Sequence, residues 1–252
     1  MGESRPTVAD RLAITERPRG LPVMHQNWGK LLFMHWRIPE EALRPLVPLG
    51  LTIDTFDGSA WIGVIPFTMW GIRALPPLLP PVPGLSSLHE LNVRTYVHLN
   101  GVPGVLFLSL DANSSIAIMA ARALFNLPYF KAEIKLDQQG QTIVYTSRRT
   151  QTRAPAAQLS VTWKVFEPLP ESVPGTLEFF LTERLCLYTA RNNNLYRARI
   201  HHPPWPLQRA ELSSFNSTMI ESHGLPTPHG DPVLHYAEAL GVDIWLPESK
   251  DE

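Results

Sequence analysis

The stretch that most constrains the fold of this chain runs from Ser86 to Leu136, because its residues alternate in the manner of β-strands. Between Glu90 and Leu99 almost every second residue is apolar, which is the two-residue period of a half-buried strand. The other face of this strand is polar along its length and carries Glu90, Asn92, Arg94, Tyr96 and His98. This polar face is the main candidate for a functional surface.

The remainder of the stretch predicts a turn, a strand, a helix and a third strand. Asn100 and Gly101 favour a reversal, and the strand that follows carries Ser109 and Asp111 on one face and Leu106, Leu108 and Leu110 on the other. Capping residues at 113–115 and apolar residues at helical spacing predict a helix over 116–125, ended by Asn126. Pro128 opens the third strand, in which Tyr129 and Lys131 share a face.

The 25 prolines indicate many short strands and shaped loops. Asp57-Gly58 between apolar runs predicts a hairpin. A strand with both faces covered is predicted over 25–38, and a short helix after Pro39. The segment 210–221 is predicted as a strand or a helix. Further strands are predicted over 142–149, 158–166, 177–188 and 192–200 and in the tail 233–246. The proline-rich segment 73–85 predicts a rigid connection or a loop that lines an opening.

Composition favours one compact unit, so we expect a single domain over 1–252 with an N-terminal arm over 1–25. Formal net charge is −1 with no block of like charge, which gives no support for a nucleic-acid or membrane partner. The N-terminal residues lack the apolar run of a secretion signal and no long apolar run occurs, so we expect neither a secretion signal nor a membrane span. Its one cysteine, Cys186, fits a reducing compartment, so a cytoplasmic location is expected.

The sequence lacks the motifs of several kinds of catalytic and cofactor site. The histidines are scattered apart from His201 and His202, without HExxH or paired cysteines, so no metal site is predicted. Neither G-x-S-x-G nor a glycine-rich phosphate loop occurs, so we predict no cofactor. What remains is Glu90 with Arg94 on the polar strand face. A guanidinium is a natural partner for a carboxylate ligand, whereas an exposed Glu90–Arg94 pair of little energetic value is the alternative.

Several segments resemble the acetoacetate decarboxylase superfamily: ALRPLVPLGLTID (42–54), the segment 90–104, SLDANSSIAIMAARAL (109–124) and LPYFKA (127–132). With FLTERLCLY, LYRARIHHPPWPLQ and LHYAEALGVDIWL, the chain is most similar to the uncharacterised YqjF-like branch. The resemblance implies a mainly β (α+β) fold, namely a closed or nearly closed antiparallel β-barrel with a central cavity and a few short flanking helices. It also implies self-association.

The same resemblance implies where the site lies. In the decarboxylase a lysine just after a proline forms a Schiff base, but Tyr129 and Phe130 follow Pro128 here. Glu90 matches a cavity glutamate, Arg122 matches a helix arginine, and Ile62 replaces a second cavity carboxylate. Lys131 is a substitute amine if it faces the cavity, and a solvent-facing surface lysine otherwise.

Three functions follow from these residues. The first is binding of a small organic acid or carbonyl compound in a cavity bordered by Glu90, Asn92, Arg94, Tyr129, Arg122, His201, His202 and Trp205. The second is a lyase or hydratase acting on keto acids, in which Glu90 or Tyr129 moves protons and Lys131 is the possible imine lysine. The third is a structural or interaction protein whose barrel is filled by its own side chains.

Overall fold

The computed structural model describes residues 5–74, 87–192 and 194–250. Among these residues the strands form one sheet and the helices are short. The strands are β1 Met24–Ile38, β2 Thr52–Ile53, β3 Ala60–Ala74, β4 Ser87–Leu99, β5 Val102–Ala112, β6 Tyr129–Gln139, β7 Thr142–Arg149, β8 Gln158–Pro168, β9 Cys186–Arg191, β10 Asn194–His201, β11 Leu207–Ser217, β12 Val233–Ile244 and β13 Glu248–Ser249. The helices are α1 Val8–Ala13, α2 Glu40–Leu43, α3 Ser115–Phe125 and α4 Leu177–Thr182, with 3₁₀ turns at Arg44–Leu46 and Glu221–His223.

The sheet curls back on itself and is nearly a ring. Its strand order is β13-β10-β9-β5-β6-β7-β8-β11-β12-β1-β3-β4-β2, and β4 also pairs with β5 while β10 also pairs with β12. Strand β5 therefore has three partners, β4, β6 and β9, and the last two pairs are parallel while the other described pairs are antiparallel. The predicted mainly β, barrel-like fold is confirmed.

Both faces of β1 are covered, as predicted for 25–38, because two separate cores pack against this strand. In β1 the even residues Leu32 and Met34 pack in a first core with Tyr145 and Trp163 of β7 and β8. The odd residues Leu31 and Phe33 pack in a second core together with residues of α3 and β10. This division follows from the alternation of side chains along a strand. The sheet consequently separates a filled half from the half that holds a cavity.

The predicted strands and helix of 86–136 are present, with one correction to the register. The pairing of β4 with β5 steps from Val93–Ser109 to Arg94–Phe107, so Leu108 is bulged. Leu106 therefore packs in the first core and Leu110 in the second, although a regular strand would place both on one face. Helix α3 ends at Asn126, which adopts φ 51°, the left-handed C-cap conformation.

Other predictions need correction or lie outside the described residues. Asp57-Gly58 makes a tight turn with one bridge between Phe56 and Ser59, but β2 pairs with β4 and not with β3. The segment 177–188 begins as α4 and becomes strand only at Cys186. The segment 210–221 is mainly strand, within β11. Most of the proline-rich segment, 75–86, lies outside the described residues.

The N-terminal arm is tied to the sheet by arginines. Arg11 of α1 donates two hydrogen bonds of 2.7 Å to the carboxylate of Asp54. Arg17 pairs with Asp243 at 2.8 Å, and Arg199 donates to the carbonyl oxygens of Ile14 and Glu16. Charged contacts, more than apolar packing, therefore hold this segment against the sheet.

A stability prediction follows from two adjacent arginines of β7. Arg149 forms a bidentate pair with Asp111, both almost fully buried, whereas Arg148 pairs with Glu133 on the surface. Asp111→Ala leaves a buried guanidinium without its counter-charge, so we expect a loss of about 3–5 kcal/mol in the free energy of unfolding, measured by urea denaturation. Glu133→Ala is the matched control, with an expected loss below about 1 kcal/mol. Equal losses in both variants would contradict this assignment.

Candidate functional site

A cavity of about 310 Å³ lies on the face of the sheet that the second core covers. Most of its lining is apolar, with side chains from β1, β3, β4, β5 and α3. The polar or charged lining residues are Gln26, Arg73, Glu90, Asn92, Arg94, Tyr129, Thr182, Arg184 and His202. A largely apolar hollow with a few converging polar groups has the composition of a small-molecule site.

Glu90 is the buried acid of this cavity. It belongs to β4, is 2% exposed, and faces Phe67 on β3 and Ala112 on β5 across the ladder. Burial raises its pKa to about 8, against the opposing effect of hydrogen bonds from Tyr129 and Asn92, and the negative charge of Asp111 adds to the rise. Glu90 is therefore mainly protonated at neutral pH, and a protonated carboxyl can donate a hydrogen bond.

Tyr129 lies at the start of β6 and contacts Glu90 directly. Its hydroxyl donates to Glu90 Oε2 at 2.8 Å. Burial and the neighbouring Glu90 raise the pKa of the phenol well above its usual value, so it stays protonated. On the outer side of the strand, Arg122 of α3 donates from Nε to the Tyr129 carbonyl oxygen at 3.1 Å, and from Nη2 to the same oxygen. Arg122 thus holds the Tyr129 backbone from outside the cavity.

Arg94 brings a positive charge into the cavity wall. Its Nη2 donates to the Leu181 carbonyl oxygen at 3.0 Å, and its guanidinium lies 5.6 Å from the Phe33 ring centroid. Its Nε atom is buried and has no hydrogen-bond partner. No acidic side chain in the described ranges forms a salt bridge with Arg94. The guanidinium keeps an unused donor in a buried position.

Helix α4 explains why Arg94 and its neighbours are held in place. The last carbonyl groups of a helix have no partner within the helix. Here Arg94 and the hydroxyl of Tyr96 both donate to the carbonyl oxygen of Leu181, and the indole of Trp205 donates to that of Thr182 at 3.1 Å. Side chains from β4 and from the 202–206 loop therefore cap one short helix together.

Arg184, which the sequence reasoning did not assign to the site, also lines the cavity. It follows α4, is 4% exposed, and pairs with Asp54 at 2.7 Å. Burial opposes ionisation of Asp54, but Arg184 and Arg11 together lower the pKa of this carboxyl. Asp54 thus serves two arginines, so this group of three carries a net positive charge, and Nη2 of Arg184 is buried without a hydrogen-bond partner among the described residues. Arg184 lies between α4 and β9, where Glu183 beside it is buried as well, so strand alternation gives no signal for it.

His202 and Trp205 reach the cavity, and His201 does not. His202 Nδ1 donates to the Pro203 carbonyl oxygen at 2.7 Å, and its ring lies 4.8 Å from that of Trp205. Burial lowers the pKa of His202 to about 4, so the ring is neutral at pH 7 and Nε2 is an acceptor. His201 instead contacts Arg17 outside the cavity lining, because neighbouring residues of β10 point in opposite directions.

The structure does not place Lys131 or Arg122 in the cavity. Lys131 is exposed and absent from the lining, although strand alternation predicts that it shares a face with Tyr129. The alternation breaks after Tyr129, because the amides of Thr150 and Gln151 both donate to the Lys131 carbonyl oxygen, and Ala132 is the next buried residue. Arg122 lies on the outer face of α3, where it contacts Gln151 as well as Tyr129.

The aromatic part of the lining was not predicted as a site. Trp28, Phe33, Phe67 and Phe107 line the cavity, and Trp28 lies edge-on to Phe67 at 5.7 Å. In the sequence these residues read as ordinary strand residues, because aromatic side chains are common in buried strands. The rings of Trp28 and Phe33, both on β1, lie against that of Trp205, which is far from them in the sequence.

The described ranges contain no group of three or more His, Cys, Asp or Glu residues that could hold a metal ion. In the same residues, no helix has both the length and the apolar character needed to cross a membrane.

This fold is that of acetoacetate decarboxylase-like enzymes. The enduracididine biosynthesis enzyme MppR, solved with pyruvate, superposes with a TM-score of 0.62 at 12% identity over 91% of both chains. An acetoacetate decarboxylase-like enzyme from Sphingomonas wittichii RW1 superposes with a TM-score of 0.60 at 12% identity, over 91% of this chain and 93% of that one. At these identities the likeness shows the fold alone.

Sequence comparison places the chain more narrowly. It belongs to the DUF2071 family, described as an uncharacterized conserved protein, whose model matches residues 25–241. It is 41% identical over 233 residues to the uncharacterized protein YqjF of Bacillus subtilis (strain 168), which covers 90% of this chain and 93% of that protein. The family assignment made from the sequence motifs is confirmed.

A pH prediction follows from Glu90. The folded state keeps its proton up to about pH 8, whereas an ordinary glutamate releases it near 4.5. The free energy of unfolding therefore falls as pH rises through this window, by up to about 1.4 kcal/mol per pH unit from this group. We expect Glu90→Gln to gain stability relative to the wild type over the same window, measured by urea denaturation at a series of pH values.

The other perturbed groups, such as Glu183 with a pKa of about 7, are present in both proteins and cancel in the difference. Glu133→Gln, a change at an exposed position, is the control and should follow the wild type. Parallel pH curves for the wild type and the Glu90 variant would show that Glu90 is not a protonated buried acid.

Proposed function

We propose that this protein binds a small organic acid or carbonyl compound in the cavity, and that Arg94 binds the carboxylate. The observation that carries the proposal is the state of Arg94: its Nε is buried without a partner, and its charge has no acidic partner in the described ranges. A buried donor without a partner is energetically unfavourable. A carboxylate ligand would supply both the missing acceptor and the missing counter-charge.

Neutral groups around Arg94 support the same ligand. Glu90, protonated at neutral pH, is a hydrogen-bond donor suited to a carbonyl oxygen, and Asn92 lies between it and Arg94 on the same face of β4. His202 is uncharged and presents an acceptor. Glu90 and His202 are neutral, Arg94 has no acidic partner among the described residues, and Arg184 shares the carboxylate of Asp54 with Arg11, so the net charge of these residues is positive. An anion is therefore the favoured ligand.

Binding of pyruvate tests this proposal. We expect Arg94→Gln to weaken pyruvate binding at least about tenfold, since a charge-assisted hydrogen bond contributes roughly 1.5–3 kcal/mol. Isothermal titration calorimetry gives the dissociation constants. Arg148→Gln, a change at an exposed arginine, is the matched control and should bind like the wild type. Equal affinity of the Arg94 variant and the wild type would overturn the assignment of Arg94.

A lyase or hydratase acting on keto acids is the second candidate, and the Glu90–Tyr129 contact favours it. A carboxyl with a pKa of about 8 exists in both protonation states at mildly alkaline pH. In its ionised form it could take a proton from the carbon next to a carbonyl, and it could return that proton to the same carbon. This route needs no imine, and Lys131 is exposed outside the cavity lining.

Solvent exchange tests the second candidate. Incubation of pyruvate with the protein in deuterated water should exchange its methyl protons, detected by NMR, at a rate that rises with pH and levels off above about pH 8. Glu90→Gln should abolish the exchange, and Glu133→Gln should leave it unchanged. Borohydride should trap no pyruvate on Lys131. Absence of exchange above the buffer rate would remove this candidate, and a trapped lysine would replace the proton-transfer route with an imine.

A further inference from the structure

We infer that the natural ligand is an amphipathic carboxylate, with its carboxylate at Arg94 and an aromatic or alkyl group against Trp28, Trp205 and α3. This inference rests on the proposed function and adds the chemical class of the rest of the ligand. It is carried by the order of side chains along the cavity, by the aromatic wall and by the small residues of α3.

The strand register arranges the lining from charged to apolar. Along one face of β4 the order is Arg94, Asn92, Glu90 and Leu88, and each step of two residues advances roughly 7 Å. On β3 their partners are Gly63, Ile65, Phe67 and Met69. The end with Arg94 is therefore polar, and the end with Leu88 and Met69 is apolar up to Gln26 and Arg73, which lie beyond Met69 along β1 and β3. A ligand with one charged end matches this order.

The apolar part of the cavity is walled by stacked rings. Trp205 is stacked on Trp28 with centroids 6.4 Å apart, and lies edge-on to Phe33 at 5.2 Å. The indole N–H of Trp28 is already bonded to Gln26, and that of Trp205 to the Thr182 carbonyl oxygen. Their polar atoms are thus occupied, so the rings offer apolar surface to a ligand.

Across the cavity, α3 contributes small side chains. Ala117, Ala120 and Ala121 line the cavity over the first turns of α3, and Leu124 and Phe125 line it at the last turn, whereas Met119 is exposed and does not. Small residues on the cavity face leave room for an apolar group of the ligand. The cavity volume, about 310 Å³, is that of roughly ten water molecules in the liquid. A three-carbon keto acid would leave much of this apolar space empty.

Matched ligands and variants test this inference. We expect phenylpyruvate to bind at least about tenfold more tightly than pyruvate, because its phenyl group buries apolar surface. Ala121→Leu should fill the space beside α3, so it should remove this gain of phenylpyruvate over pyruvate. Ala123→Leu, on the exposed face of the same helix, is the control. Isothermal titration calorimetry gives the affinities, and if the Ala121 variant does not fold, Ala120→Leu replaces it.

The outcomes separate this inference from the proposed function. If both acids depend on Arg94 but phenylpyruvate binds no more tightly than pyruvate, the amphipathic ligand is wrong and the carboxylate site stands. The same conclusion follows if the Ala121 and Ala123 variants affect phenylpyruvate equally. If neither acid depends on Arg94, the carboxylate site itself is wrong. Phenethyl alcohol, which lacks the carboxylate, should bind more weakly than phenylpyruvate, and equal binding would also overturn the inference.

Discussion

The fold depends on a sheet whose central strands are buried on both faces. Strand β1 places Leu32 and Met34 in one core and Leu31 and Phe33 in the other. Exposure of either pair to water would lose the free energy that its apolar burial contributes to folding. A flat sheet would expose one of these faces. Strand β5 pairs with three strands, so β6 to β8 cover one face of the sheet while β9 and α3 cover the other. The cavity is the part of the second face that side chains do not fill.

The buried charged groups near the cavity differ in their partners. Asp111 pairs with Arg149 at 2.7 Å, and Asp54 lies 2.7 Å from both Arg184 and Arg11. Glu90 has no cation in hydrogen-bond contact among the described residues, and burial raises its pKa until it is mainly neutral. Arg94 forms no salt bridge with an acidic side chain of these residues, and it lines the cavity together with Glu90 and Arg184.

The local structure was largely predictable from the sequence, and the long-range structure was not. The strand 87–99 and the helix 115–125 follow from alternation, capping and apolar spacing, which are local properties. The bulge at Leu108 and the break of alternation after Tyr129 arise from pairing with distant strands, so nothing near them in the sequence signals them. For this reason alternation could bring Glu90, Asn92 and Arg94 to one face of β4, which lines the cavity, whereas it left open whether Lys131 shares the face of Tyr129, and Lys131 is exposed.

Tyr129 stands where the sequence resemblance aligns the imine-forming lysine of the decarboxylase, and its chemistry fits the rest of this cavity. A lysine beside Glu90 would form an ion pair with it and keep the carboxyl ionised. A phenol only donates a hydrogen bond, at 2.8 Å, and leaves burial as the main influence on the pKa of Glu90. In this cavity Glu90 is therefore a mainly neutral carboxyl that can donate a hydrogen bond. Among Glu90, Asn92 and Arg94, the arginine is then the one charged side chain at neutral pH, which is the physical basis for expecting an anion there.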